Sequence, residues 1–412
     1  MGTSYDRNLG MDRRGFLRAG TLAGAGLLAT STRAATPSDT EPARVRAQRA
    51  LGKTGLRVSD VSFGGSRLRE GQEDVVRHAL DRGITYFDTA ESYGDGVSER
   101  VVGKGLGGRR NDVIVGSKVT AAATGRKAEF MQALEGSLRR LGTDRIDLYF
   151  NHAVNDVARM QNPEWQAFVA DAKQQGKIRF AGMSGHAGNL VECLDWALDH
   201  DRVDVILVAH NFGQDPAFYQ RLLRDFDTIA VQPELPRVLA KAHARGVGTL
   251  AMKTLMGARL NDMRPYETGG ATFAQAAFRW VLAGANVDAV VVSMTGREQI
   301  DEYLGASGAT ALRQGDLPLL ARYAGARRDD WCRHGCGLCE TSCPQGVPIG
   351  EVLRTRMYAR DYGDADFARR EYALLGAGAA ACLSCAARPC AGACPHGLAP
   401  EVLAGATHRL LA

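Results

Sequence analysis

Two sets of side chains in this sequence have types and spacings that suit chemistry. The first is sulfur. Eight of the nine cysteines lie between Cys332 and Cys394, in the patterns Cys332-x3-Cys336-x2-Cys339-x3-Cys343-Pro344 and Cys382-x2-Cys385-x4-Cys390-x3-Cys394-Pro395. Clustering of this kind means a metal or redox site, or a disulfide framework. The second set is Asp88, Tyr93, Lys118 and His152, each at or just beyond the end of a β-rich run. A free phenol, with a pKa near ~10, is a poor proton donor at neutral pH. A nearby ammonium stabilises the phenolate and makes a tyrosine a general acid–base. Lys118 supplies the ammonium, Asp88 can keep it charged and oriented, and His152 can hydrogen-bond a substrate oxygen. Together they suit proton transfer to a carbonyl oxygen while hydride arrives at its carbon. One charged residue at a strand end is usually just solvated; four at successive ends are a stronger signal.

Positioning that set requires strands whose carboxyl ends share one rim. Runs rich in β-formers fall at Val58–Gly64, Thr85–Thr89, Val113–Lys118, Ile146–His152, Ile178–Ser184, Val203–His210, Val247–Lys253 and Ala289–Met294. Between them, stretches such as Glu73–Asp81, Glu129–Leu141, Glu164–Gln174, Val191–Leu198 and Phe273–Leu282 carry apolar residues at helical spacing. Eight strand–helix repeats over residues 50–312 predict an α/β fold of the TIM-barrel type, (β/α)8, in preference to a doubly wound open sheet. Barrel chemistry sits at the carboxyl ends of the strands. The long, glycine-containing loop Thr254–Thr272 is expected to act as a flap over that rim.

The barrel segments resemble the aldo-keto reductase superfamily. The resemblance rests on Leu51-Gly52-Lys53-Thr54-Gly55-Leu56-Arg57-Val58-Ser59, Phe87-Asp88-Thr89-Ala90 with Tyr93-Gly94, Ser98-Glu99, Ser117-Lys118, Asp147-Leu148-Tyr149 with His152, and Gly176-Lys177-Ile178-Arg179. It implies that Asp88, Tyr93, Lys118 and His152 are a catalytic tetrad, and that NADP or NAD lies across the mouth without a Rossmann domain. The family holds the nicotinamide carboxamide with a Ser-Asn pair and a Gln. Ser184 matches the first of these, but Gly185 and His186 follow it and the Gln position is Leu207. The stacking aromatic aligns with Met252. Lys253 is placed to meet the cofactor phosphates. The phosphate-binding segment reads Ser293-Met294-Thr295-Gly296-Arg297-Glu298-Gln299, with Ser293, Arg297 and Gln299 as cofactor-binding candidates.

The cysteine motifs, both ending in Cys-Pro, resemble the two-cluster ferredoxin pattern, in which three close thiolates bind one cluster and the fourth ligates the other. That resemblance implies two 4Fe–4S clusters, one on Cys332, Cys336, Cys339 and Cys394, the other on Cys382, Cys385, Cys390 and Cys343. Both spacings depart from the usual pattern by a residue or two. Two tetrahedral zincs or a set of disulfides are the alternatives. Residues 325–412 are thus expected to form a small, mainly helical ferredoxin-like domain, with helices over Ile349–Tyr358 and Phe367–Leu375. Cys193 reads as a core residue, and His334 and His396, each close to a ligand, read as supports of that ligand or as bystanders.

Arg13-Arg14 with Phe16 and Leu17, the weakly apolar Ala19–Ala29 stretch and Thr32-Arg33-Ala34 resemble a twin-arginine signal over residues 1–35. Residues 36–49 read as a linker. The signal carries five arginines and two aspartates, so its removal takes the formal charge from +5 to +2. No dense basic run calls for nucleic acid, and no apolar stretch is long enough to anchor the mature chain in a membrane. The expectation is an exported, periplasmic oxidoreductase interconverting a carbonyl and an alcohol, made in partnership with the twin-arginine machinery and served by a redox partner. Two alternatives stand beside it: an iron–sulfur electron-transfer protein with a silent barrel, and a periplasmic sugar or alcohol dehydrogenase passing electrons out through the clusters.

Overall fold

The computed structural model describes residues 43–186, 189–214, 232–255, 264, 267, 270, 272–326, 332, 337–360, 364–395 and 397–412. The signal expected over residues 1–35 and most of the flap expected over Thr254–Thr272 lie outside them. Residues 42–412 form one compact unit.

Ten strands are present among the described residues: β1 (Gln48–Ala50), β2 (Arg57–Ser59), β3 (Val61–Gly64), β4 (Tyr86–Asp88), β5 (Ile114–Val119), β6 (Ile146–Asn151), β7 (Ile178–Gly185), β8 (Val205–Ala209), β9 (Gly248–Met252) and β10 (Ala289–Ser293). The last eight close a parallel barrel in the order β10-β3-β4-β5-β6-β7-β8-β9. Successive side chains on a strand point to opposite faces, and that alternation makes two cores. Tyr86, Ile114, Leu148, Phe150, Val205, Leu207, Leu250 and Val291 fill the interior. Phe63, Phe87, Val115, Tyr149, Ile206 and Val290 face outward under the helices. The amphipathic stretches form the expected outer layer, among them Glu73–Asp81, Lys127–Leu141, Pro163–Gln174, Leu190–Asp199 and Phe273–Leu282.

The run expected as one strand, Val58–Gly64, is two. β1 and β2 form an antiparallel hairpin, and Leu51, Leu56 and Val58 join the interior core from it. The chain turns into the barrel at Asp60. This fully buried carboxylate accepts from the Val61 N–H (2.9 Å), the Ser307 hydroxyl (2.6 Å) and the Gly308 N–H (2.6 Å). Gln48 and Arg49, expected in the linker, belong to this hairpin. A further helix, Asp316–Ala326, extends the outer layer past residue 312. It is fixed by Arg279, whose guanidinium donates to both carboxylate oxygens of Asp316 at 2.8 and 2.6 Å, with both residues buried.

Beyond the barrel the described elements are helical: Leu338–Thr341, Ile349–Arg360, Ala365–Ala373, the short 3-10 turn Ala380–Leu383, and Pro400–Leu411. Ile349, Val352, Leu353, Ala368, Tyr372, Ala404 and Leu411 share a core with Cys390, and Cys332, Cys339, Cys343 and Cys382 pack against it. This tail is tied to the barrel through Asp364. Its carboxylate takes Arg67 at 2.9 Å and Arg69 at 2.5 Å, both from the loop after β3. Asp364 also caps the Ala365–Ala373 helix by accepting from the Phe367 N–H, and its own N–H donates to the Tyr358 carbonyl at 3.0 Å. No helix among the described residues is long and apolar enough to cross a membrane.

Candidate active site at the barrel mouth

Register explains why the four polar residues meet. Asp88 lies opposite Gly116 on β5, and Lys118 lies opposite Phe150 on β6. Asp88, Gly116, Lys118, Phe150 and His152 therefore share the inward parity at successive strand ends. The Lys118 ammonium donates to Asp88 Oδ2 at 2.5 Å and to the Thr89 carbonyl at 2.7 Å. It also reaches the Tyr93 hydroxyl at 3.5 Å and stands 4.9 Å from that ring's centroid. The His152 ring meets Tyr93 edge-on, with centroids 5.6 Å apart. Its Nδ1 is 3.4 Å from the Ser92 hydroxyl.

The electrostatics follow from burial against pairing. Burial alone would discharge Lys118, but Asp88 and Tyr93 outweigh it and its pKa is raised. Burial pushes the Asp88 carboxyl up, with Lys118 and Tyr86 pulling against it. Burial also raises Tyr93, and Lys118 offsets this only in part. The phenol is thus held protonated rather than acidified, the reverse of the shift expected from Lys118 alone. His152 is pushed down to about 3 by burial and by the positive charges of Lys118, Arg159 and Lys253, so its imidazole is neutral.

Three supporting residues were not singled out in the sequence. Tyr86 donates to Asp88 Oδ1 at 3.0 Å; its parity with Asp88, two residues apart, was the available signal. Gly116 makes room for it, since a Cβ there would overlap the Tyr86 hydroxyl. Arg159, nearly buried, uses all five N–H groups on neutral oxygens: the carbonyls of Ala121, His152 and Ala153 and the side-chain amides of Asn151 and Asn155. It thereby fixes the turn after His152, where Ala153 adopts a left-handed φ of 50°. Nothing local in the sequence marked it.

The expected cofactor residues divide. Ser184 has no exposed surface, and its hydroxyl accepts from the Ala153 N–H at 3.0 Å, which leaves one hydroxyl hydrogen to offer. Leu207 is buried in the interior core, with Met252 packed against that core, so the carboxamide end is mostly apolar. Lys253, at the end of β9 with φ 54°, is open to the mouth. The protein around it and the like charge of Arg354 push its ammonium down to about 8, against the opposing pull of Glu351. Ser293 ends β10 and hydrogen-bonds Ser66 at 2.6 Å. Gln299 accepts from the Thr295 N–H at 2.8 Å, and Arg297 pairs with Asp74 at 2.8 Å on the surface. The donors present fit the phosphate end of a dinucleotide better than its carboxamide.

In the tail, Cys382 is raised by burial and by Cys343, Cys390 and Cys385, so these four sulfurs lie within electrostatic reach of one another. Cys332 and Cys339 pack against the tail core, and Cys394 is partly buried. Cys336, His334 and His396 lie outside the described residues. No disulfide joins the described cysteines to one another, and no three described His, Cys, Asp or Glu residues converge closely enough for one metal ion. Cys193 is fully buried beside Leu190, Leu194 and Ala197 in the barrel's outer core.

The aldo/keto reductase family model matches residues 61–268. L-glyceraldehyde 3-phosphate reductase of Escherichia coli K12 is 26% identical over 302 residues, which are 63% of this chain and 86% of that one. L-galactose dehydrogenase of Arabidopsis thaliana is 27% identical over 300 residues, 63% of this chain and 87% of that one. An aldo/keto reductase of Klebsiella pneumoniae, solved in complex with NADP and acetate, is 25% identical, has a TM-score of 0.53, and covers 67% of this chain and 95% of its own. A rim with an ammonium shared between a carboxylate and a phenol thus sits within a matched segment that takes in half of the sequence. This chain belongs to the aldo/keto reductase family and is an oxidoreductase acting on carbonyl and alcohol groups.

Proposed function

We propose that Asp88, Tyr93, Lys118 and His152 are the catalytic set, that Tyr93 is the general acid in carbonyl reduction, and that the cofactor is NADP or NAD. The observation that carries this is the Lys118 ammonium, bonded to Asp88 at 2.5 Å and reaching the Tyr93 hydroxyl at 3.5 Å. When bound, reduced nicotinamide supplies a hydride to the carbonyl carbon. The Tyr93 phenol passes its proton to the carbonyl oxygen, and Lys118 stabilises the phenolate left behind. Neutral His152 hydrogen-bonds the same oxygen. Arg159 and Lys253 add positive potential where negative charge develops. Lys253 and Ser293 are the residues available to the cofactor, with Arg297 and Gln299 near its phosphate end, whereas Ser184, with no exposed surface, is closed to it; binding of NADP by the Klebsiella relative supports that choice. The names of the relatives, a glyceraldehyde phosphate reductase and a galactose dehydrogenase, support a small hydroxy-aldehyde or sugar-like substrate.

We infer further that the tail is a ferredoxin-like domain of about residues 325–412 holding two 4Fe–4S clusters, and that residues 1–35 direct twin-arginine export to the periplasm. The nearness of Cys343 to Cys382, Cys385 and Cys390 supports one ligand set. In a cubane each thiolate binds its own iron, so four such ligands stand wider apart than around a single ion. The export reading rests on the Arg13-Arg14 pattern, and export of a folded protein suits clusters assembled beforehand.

Tyr93→Phe tests the central claim. It removes one hydroxyl and keeps the ring beside His152. Turnover of aldehydes with NADPH or NADH should fall by about 100-fold or more, the scale of general acid catalysis. Unchanged turnover in a folded variant overturns the assignment.

A further inference from the structure

His152 follows the last residue of β6, and little holds its ring directly. Nδ1 stands 3.4 Å from the exposed Ser92 hydroxyl, and the ring meets Tyr93 edge-on. Its placement is therefore set by the main chain on either side. The His152 N–H donates to the Val119 carbonyl, at the end of β5, at 2.8 Å. The His152 carbonyl accepts from Arg159 Nη2 at 2.7 Å. The next residue, Ala153, has φ 50°, a conformation that a residue with a Cβ keeps only where its surroundings impose it. Here they do. The Ala153 N–H donates to the Ser184 hydroxyl at 3.0 Å, and its carbonyl accepts from Arg159 Nη1 at 2.7 Å.

The chain around Arg159 prepares it for this task. It sits on a short helix, Val157–Gln161, which begins where Asp156 accepts from the Ala158 N–H at 2.9 Å. The helix stops at Asn162, which caps Pro163–Gln174 by accepting from the Glu164 N–H at 2.9 Å. A guanidinium is planar, and its five N–H groups point in fixed directions. Besides the two carbonyls of the His152–Ala153 turn, Arg159 meets the Ala121 carbonyl at 2.8 Å, the Asn151 side chain at 2.8 Å and the Asn155 side chain at 3.2 Å. Ala121 follows closely after Lys118, so one rigid group spans the turns beyond β5 and β6. Asn162 extends the span, with Nδ2 donating to the carbonyls of Ala122 at 3.1 Å and Gly125 at 2.8 Å. Asp156 also acts on Arg159 through its charge, but the hydrogen bonds of the fork set the geometry.

We propose that Arg159 is the positioning residue for His152. Its fork holds the His152–Ala153 turn against the turn beyond β5, and so sets where the imidazole stands relative to Tyr93 and Lys118. It acts through the His152 carbonyl and not on the substrate. The role needs the shape of the guanidinium, and a positive charge alone does not fill it. This rests on the carbonyl chemistry proposed above.

Arg159→Lys keeps the charge and loses the fork. In the full-length protein its kcat for aldehyde reduction with NADPH or NADH should fall by about 10- to 100-fold, the scale of a misplaced group, with kcat/KM falling in step. Arg159→Gln, which loses both charge and fork, should fall at least as far. His152→Asn should fall by about 100-fold, the scale of one lost donor to the developing oxyanion. Adding Arg159→Lys to His152→Asn should cost less than about 3-fold more, because groups that act as a unit are not additive. Full activity in Arg159→Lys overturns the proposal, since charge then suffices. A double variant in which the two losses multiply also overturns it, because that is the result of a merely structural role. Wild-type turnover in folded His152→Asn overturns it by way of His152, and refutes the role given to His152 above as well. The ring proton signals of His152, identified by their loss in His152→Asn, give a reading that needs no turnover: they should move in Arg159→Lys, and identical signals overturn the proposal. If Arg159→Lys does not fold, Asn155→Ala removes a single acceptor on the exposed side. It should lower kcat a few-fold when His152 is present and not when His152 is Asn; an unchanged kcat, or the same loss in both backgrounds, overturns the proposal.

Discussion

Asp88→Asn separates two consequences of one ion pair. In the wild type the Lys118 ammonium and the Asp88 carboxylate are 2.5 Å apart and almost without exposed surface. Removing one partner of such a pair leaves a buried charge, at a cost of about 3–5 kcal/mol. The variant can escape part of this cost by releasing the Lys118 proton, because burial alone lowers that pKa. The sign of the pH dependence then reverses. Wild-type Lys118 is raised, so its contribution is fully present below the ordinary lysine value and is lost only as pH rises through the folded value. In the variant the folded pKa falls below the unfolded one. The unfolded chain then binds a proton that the folded chain lacks, and stability rises with pH by up to about 1.4 kcal/mol per unit. Urea unfolding followed by tryptophan fluorescence at pH 7 and pH 9 measures both effects. The gap between wild type and variant should be several kcal/mol at pH 7 and should narrow by about 1–3 kcal/mol at pH 9. A gap below about 1 kcal/mol at pH 7, well short of the cost of an orphaned buried charge, refutes the pairing argument. A gap that does not narrow refutes the deprotonation argument.

Three further outcomes follow from the same rim. Tyr93 is held protonated by a raised pKa, and His152, at about 3, is already neutral. The kcat for aldehyde reduction should therefore be level from pH 6 to 9 and fall only in more alkaline solution, while alcohol oxidation climbs across that range; an inflection near 6.5 in either profile would implicate a titrating imidazole instead. Because the His152 pKa is depressed, its contribution to stability is present above the ordinary histidine value and is lost as pH falls from about 6.5 toward 3, a slope that His152→Asn should remove from an acid-unfolding curve. Gly116→Ala puts a methyl group where the Tyr86 hydroxyl lies, so it should cost about 1–3 kcal/mol by overpacking and also lower kcat through the lost Tyr86–Asp88 bond. Normal kcat and stability in that variant would show that Tyr86 does not position the carboxylate.

The barrel was legible because its signal is periodic. Glu73–Asp81 and Phe273–Leu282 begin and end where their apolar spacing does, and most strands fall within a residue or two of their β-rich runs. Val58–Gly64 misled because apolar content continues through Asp60, whose role depends on Ser307 and Gly308, far away in sequence. The same limit applies at the site. Asp88, Lys118 and His152 are local to strand ends and could be read. Arg159 acts through partners that only the folded chain brings near, and its own sequence context says nothing about it. The direction of the Tyr93 shift was misjudged for a related reason: a nearby ammonium is visible in the sequence, but the depth of burial that outweighs it is not.

The tail is fastened to the barrel by charge rather than hung from it as a free appendage. The Ile349–Arg360 helix buries Ile349, Val352 and Leu353 in the core that contains Cys390 and is flanked by Cys343 and Cys382. The packing of that core fixes how the helix presents Arg354 and Tyr358, which bond to each other at 2.9 Å. On the other side, Arg67 and Arg69 fix the same helix through Asp364. A hydride carries two electrons whereas an iron–sulfur cluster carries one, so the two proposed chemistries exchange electrons only through a two-electron relay.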